Sequence, residues 1–184
     1  MNIRKHQIYP VLLVLIWLMS GCVAVYTTEP VGDEPVKLQA QDWEGTWVQD
    51  KDFFVIRLSE PDQGMLVAAW IEEENDSLKL ESLNGHIRAT GDTMFISFRD
   101  KDYPDSPRYF WARIKQDGRQ IIFWQPEEKA FKALVESKQL PGSIDDDNII
   151  LEPLKNEHLR FIIEDKNKNL FDWQEPIVFL KLGE

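Results

Sequence analysis

The chain is poor in the side chains that do metal and nucleophile chemistry. Its 184 residues include one cysteine, Cys22, and three histidines. A single thiol excludes any disulfide within the chain, and an odd cysteine in an exported protein needs its own explanation. Only His86 and His158 follow Cys22, far apart and with no soft ligand nearby. The fixed spacings that zinc and copper require are therefore missing. Calcium fares no better. Asp165, Asn167 and Asn169 start like a calcium loop, but Leu170 and Pro176 stand where glycine and glutamate are needed. The acidic loops at Asp100, Asp102 and Asp105 and at 145–147 read as solvated charge. No metal and no cofactor is expected. Gly-x-Ser-x-Gly is absent, as is Ser-x-x-Lys in a fitting context, so no activated nucleophile is legible and the expectation is a non-catalytic protein. Basic residues are outnumbered, 21 against 32 acidic, for a net charge of −11. Phosphate backbones repel such a chain, which argues against nucleic-acid partners.

Long apolar runs are also lacking. The longest, over residues 8–19, is about a dozen residues, where a spanning helix needs roughly 20. It follows Arg4, Lys5 and His6 and precedes the small residues Ser20 and Gly21, the layout of a secretory signal. Leu18-Met19-Ser20-Gly21-Cys22 resembles the bacterial lipobox. That resemblance implies a diacylglyceryl group on the Cys22 thiol, cleavage before Cys22 and acylation of the new amino group. Val23 at the next position, rather than Asp, implies sorting to the outer membrane of a Gram-negative envelope, facing the periplasm. Lipidation accounts for the lone cysteine, and two or three acyl chains make a stable anchor where one is marginal. Cleavage leaves 163 residues with a net charge of −13, one domain's worth. Three segments follow: a signal peptide at 1–21, a lipidated cysteine with a flexible tether at 22–41, and a single folded domain at 42–184. The tether expectation rests on Pro30, Gly32 and Pro35 and on few large apolar groups.

From Trp43 onward, short runs rich in β-branched and aromatic residues alternate with turn formers. In "DFFVIRL", Phe54, Ile56 and Leu58 share one face, with Phe53, Val55 and Arg57 on the other. "IKQDGRQII" carries Asp-Gly between two apolar runs, a hairpin signal. Further strands are expected at "SLKLESL" and "HIRAT", separated by a turn at Asn84-Gly85, and at "NIILEPL", "HLRFIIED" and "IVFLKL". One segment has helical spacing: Ala130, Phe131, Leu134 and Val135, with Pro126 and two glutamates before and Pro141-Gly142 beyond. The expected fold is all-β, an antiparallel barrel or sandwich of about 8–10 strands with one helix near 127–138.

The domain opens on Trp43-Glu44-Gly45-Thr46-Trp47, and Gly45-x-Trp47 resembles the first signature of lipocalins and related calycin barrels. The resemblance implies a Trp on the first strand packed across one end of the barrel, and a cup for a small apolar ligand. Six tryptophans follow Cys22. Trp47, Trp70 and Trp111 are the candidates to line such a cup, since pockets are aromatic-lined with few polar groups. The face of Tyr109, Trp111 and Arg113 is a candidate partner surface. The functional expectation is a membrane-anchored envelope lipoprotein that binds a small apolar ligand without catalysis. The alternative is a structural or accessory subunit docked to an envelope protein partner. A hydrolase would need a buried carboxylate pair or a serine near His86 or His158.

Overall fold

A computed structural model of the chain describes residues 24–74 and 77–183. The leader and Cys22, on which the lipid-anchor expectation rests, lie outside the described residues.

Alternating apolar side chains fold residues 45–181 into a closed, eight-stranded antiparallel barrel. In chain order its strands are β3 (Gly45–Gln49), β4 (Asp52–Glu60), β5 (Met65–Glu74), β6 (Ser77–Thr90), β7 (Thr93–Arg99), β8 (Tyr109–Asp117), β9 (Gln120–Trp124) and β12 (Ile177–Lys181). Each pairs with the next, and β12 fits between β9 and β3 to close the ring. The period-2 pattern decides which way each side chain looks. On β4, Ile56 is buried with Phe54 and Leu58 beside it, while Phe53, Val55 and Arg57 are exposed. The Asp117/Gln120 hairpin turns through Gly118 at φ +61°.

The barrel interior is filled. Trp47 is fully buried at its middle, surrounded by Ile56, Leu66, Ile87, Ile96, Ile114 and Ile121. One end is plugged by Leu38 and by Trp43 on a short helix, α1 (Ala40–Trp43), and the Trp47 indole N–H donates to the Trp43 carbonyl at 2.9 Å. Toward the other end stand Phe54, Phe123 and Phe179, stacked edge to face at 4.9 and 5.1 Å. Gly45 sits at φ +136°, where a Cβ would meet the Lys181 side chain at 3.0 Å. Gly45 thus supplies a backbone conformation that L side chains rarely adopt, with only the flexible Lys181 side chain close by, and the Lys181 ammonium lies 5.7 Å from the Trp47 ring.

A second apolar layer covers the outside of the barrel at β7 and β8. It is built from α2 (Glu128–Glu136), α3 (Asn156–Ile163), the 3-10 turn Asp165–Leu170, and a small three-stranded annex. The annex is β1 (Val25–Thr27) lying antiparallel to β8, β11 (Asn148–Leu151) parallel to β1, and β10 (Gly142–Asp145) at its edge. Phe95 and Trp111 point outward into this layer, and Trp111 meets Phe131 and Phe171 edge to face at 5.5 and 5.8 Å.

Four expectations need correction. Residues 24–38 are not a tether. Val25, Tyr26, Val31 and Leu38 are buried, and the segment runs from β1 across β6, pairing there as β2 (Glu34–Pro35), to the barrel plug. A few well-spaced apolar residues suffice for this because the barrel supplies the rest of the contact. "HLRFIIED" is helix, not strand: Leu159 and Ile162, three apart, face the core, and so short a run of apolar residues cannot itself declare its period. Asn84-Gly85 is no turn. β6 runs straight through it, because a Cβ at Gly85 would stand 2.8 Å from Phe98 and 2.9 Å from Leu66, so the glycine lets three strands pack closely. Finally, "GSIDDDN" is not a solvated loop: Gly142–Asp145 is a strand paired with the expected strand at Asn148–Leu151, in a hairpin turned by Asp146 and Asp147, both at positive φ.

Candidate functional site

The three candidate tryptophans do not converge. Trp47 belongs to the interior and Trp111 to the outer layer, both buried. Trp70 is half-buried on β5, opposite Glu81. The face of Tyr109, Trp111 and Arg113 is covered rather than free: Trp111 is packed under α2, and the Arg113 guanidinium lies 4.9 Å from the Trp173 ring. His86 has a serine across the ladder, Ser97, but Ser97 is fully buried and its Oγ accepts the Val31 N–H at 3.0 Å. Burial pushes the His86 pKa down, with Arg88 adding to the effect. His158 accepts the Lys155 N–H at its Nδ1, a helix-start role. The Asn167 side chain donates to the Phe161 carbonyl at 2.7 Å. Among the described residues, no three His, Cys, Asp or Glu side chains gather as a metal site would need.

Two surface features stand out instead. The first is a bare wall. Nine large apolar side chains are exposed among the described residues, and seven of them gather along β4 (Phe53, Val55), β5 (Ile71), β6 (Leu78, Leu80) and β12 (Leu180), with Leu182 just past its end. The ladders place them side by side: Leu180 opposite Val48, Val48 opposite Phe53, and Ile71 opposite Leu80. Sequence alternation marked Phe53 and Val55 as facing away from Ile56. Which neighbours they joined depended on strand register.

The second is a fork. The β5–β6 ladder extends to Glu74 and Ser77, beyond the ends of its neighbours. β4 pairs with β5 only as far as Ala69, and β7 pairs with β6 only from Gly85. Past Phe98 the chain leaves β6, so a cleft of about 450 Å³ opens between residues 80–84 and the segment holding Arg99, Asp100, Lys101 and Pro104. The Ile87 N–H donates to Gly64 O at 2.7 Å, on the β5 side. By strand alternation, the N–H and C=O of Leu80, Ser82 and Asn84 then point the other way, into the fork.

Electrostatics fix the fork's far side. Glu81 binds Lys79 at 2.6 Å and Lys101 at 2.5 Å, tying β6 to the segment. Hydrogen bonds from Lys101 and then Lys79 hold the Glu81 carboxyl below the usual carboxylate range. Asp100, at 3% exposure, accepts the Asp102 N–H, and burial raises its pKa. Arg108 closes the base of the segment, 4.0 Å over the Tyr103 ring and bonded to Asp145 at 2.8 Å. A second cleft, about 240 Å³, lies outside the barrel between Glu29, Arg88 and Glu152. None of the three candidate tryptophans lines either cleft.

No family model matches the chain, and no curated protein or solved structure matches it.

Proposed function

We propose that the chain is an envelope lipoprotein, anchored through Cys22 at the outer membrane and facing the periplasm, whose barrel is a non-catalytic docking module: a structural or accessory subunit of an envelope assembly. The bare apolar wall carries this reading. A barrel that holds a small ligand keeps interior space, whereas this interior is occupied by Trp47 and its neighbours. Monomers rarely leave contiguous apolar patches of more than a few hundred Å² uncovered, and such faces mark interaction sites.

A protein suits the wall better than the bilayer does. Only Cys22 and Val23 precede Ala24, whose N–H donates to Asn148 and whose C=O accepts from Ile149. Two extended residues reach roughly 7 Å. β1 lies on β8, and β4 is four strands away in either direction around the ring, roughly 19 Å along the wall. Acyl chains on Cys22 would therefore hold the annex side at the membrane and turn Phe53 and Val55 toward the periplasm.

Two measurements test the reading. Cys22→Ala abolishes radiolabelled palmitate incorporation, and unchanged labelling refutes the anchor. Solubilised from its own envelope, the wild type migrates as a large assembly, while the double variant Phe53→Lys, Ile71→Lys migrates as a folded monomer. Equal migration of the two refutes docking through the wall.

A further inference from the structure

We propose that β1 is a strap that seats last: the leader is cut from Cys22 while β1 is still out of the annex, and the seated strand shields the cut site. The inference rests on the anchor reading and names the order of its steps. The step itself is a hydrolysis. Water splits the Gly21–Cys22 amide, leaving a carboxylate on Gly21 and a free amine on Cys22.

Two observations carry it. The first is reach. With β1 seated, the Ala24 N–H donates to Asn148 Oδ1 at 3.1 Å, and the Ala24 carbonyl accepts from the Ile149 N–H at 2.9 Å. Val25, Tyr26 and Thr27 behind it are buried between β8 and β11, and the Tyr26 ring lies 4.6 Å from Phe110. Cys22 therefore stands within roughly 7 Å of the folded body. A peptidase takes hold of an extended, accessible chain. Here Ala24, close behind the cut, has both backbone groups committed to the annex. Nor does a gap of roughly 7 Å admit an enzyme between body and bilayer, since one helix with its side chains is already about 10 Å across.

Unseating β1 removes the obstacle without opening the barrel. The next fixed point is Val31, whose N–H donates to Ser97 Oγ at 3.0 Å. Gly32 and Asp33 follow, their carbonyls accepting from the Arg88 guanidinium at 2.9 and 2.8 Å. Residues 22–30, freed together, span roughly 30 Å.

The second observation is chain order. The seat of β1 is made by β8 and β11, and Asn148, which holds Ala24, lies 124 positions further along the chain. So non-local a pairing forms slowly. An exported chain presents its N-terminus first, so Cys22 is at the membrane before the seat is complete.

The test compares folded precursors, the full chain with its leader, purified in detergent and mixed with Gram-negative envelope membranes. Leader removal is followed by mass. One variant carries Gly-Ser-Gly-Ser-Gly-Ser between Val23 and Ala24, which keeps the described contacts and gives Cys22 a reach of roughly 27 Å. The inference expects this variant to lose its leader at least tenfold faster than the wild type. Cleavage of a folded chain tracks its open population. Val25→Ala, which loosens the seat, therefore speeds cleavage at least threefold in the wild type and leaves the linker variant unchanged. Should Val25→Ala not fold, Asn148→Ala, which removes the acceptor of the Ala24 N–H, gives the same reading. Equal rates for the wild type and the linker variant overturn the inference, while cutting before Cys22 in both keeps the anchor reading. Equal acceleration of both by Val25→Ala also overturns it, because the seat then plays no part. If no precursor is cut before Cys22, the anchor reading falls and the inference with it.

Discussion

Leu38→Ala separates two descriptions of the segment after Cys22. In a tether, a leucine sits in water, and its truncation shifts stability within about 0.5 kcal/mol. In the fold described here, Leu38 is 3% exposed, its N–H donates to the Pro61 carbonyl at 2.9 Å, and its side chain plugs the barrel with Trp43 above Trp47, Ile56 and Leu66. Truncation to Ala removes three carbons, about 2.4 kcal/mol of transfer free energy at roughly 0.8 per methylene. A cavity term follows because the aromatic plug and the barrel wall collapse only partly. The expected loss is about 3 kcal/mol, or roughly 6–12 °C in Tm for a domain of this size. Urea unfolding followed by tryptophan fluorescence reads it directly, since Trp43 and Trp47 report from the same cluster. A midpoint change with the m-value preserved measures stability alone. A loss below about 0.5 kcal/mol refutes the integration of this segment, and with it the argument that Cys22 has no slack chain before the fold.

Other outcomes follow from the same packing and charges. Phe131→Ala empties a fully buried site beside Trp111 and Phe171; about 3–5 kcal/mol of stability is lost, and a urea midpoint near wild type would show that α2 does not seal the barrel's outer layer. Glu81 has a depressed pKa, so its tie to Lys101 holds above the ordinary carboxylate range and is lost as pH falls through the depressed value. Amide protection at 100–102 therefore drops on acidification in the wild type, whereas Glu81→Gln shows low protection at both neutral and acid pH; equal profiles refute the tie. In vesicles carrying a lipid-borne quencher, a fluorophore at position 147 in the annex turn is quenched strongly and one at position 57 weakly. The reverse order would contradict the orientation argued from β1 and β4.

Local signals and pairing signals were not equally legible. The Asp-Gly hairpin, the helix over 128–136 and the alternation around Ile56 were readable, because each depends on residues a few positions apart. Gly45-x-Trp47 was readable as a pattern, but the side chain that its glycine meets, Lys181, lies 136 positions downstream. Gly85 misled for the same reason: beside Asn84 it mimics a turn, and only the approach of Leu66 and Phe98 shows why a strand needs glycine there. Val25, Val31 and Leu38 are too sparse to give a period, so burial that depends entirely on distant partners passed for a tether. The 159–163 run failed differently, since Leu159 and the three apolar residues 161–163 after Arg160 fit strand and helix alike.

The candidate site was harder to read than the fold because it consists of what pairing leaves over. Residues 78–84 alternate like any strand, and nothing in them says that β7 will turn away at Phe98. Phe53, Ile71, Leu80 and Leu180 each read as an ordinary strand residue, and only register sets Ile71 opposite Leu80 and brings Phe53 and Leu180 to either side of Val48. Aromatic richness pointed inward to a cup. The same aromatics, counted against the space inside eight strands, fill it: Trp47 alone reaches from the wall toward the Trp43 plug, and the phenylalanines occupy the other end. Those aromatics pack against one another inside the ring, and the outer wall and the open edge of β6 are where the described residues expose apolar side chains and strand backbone.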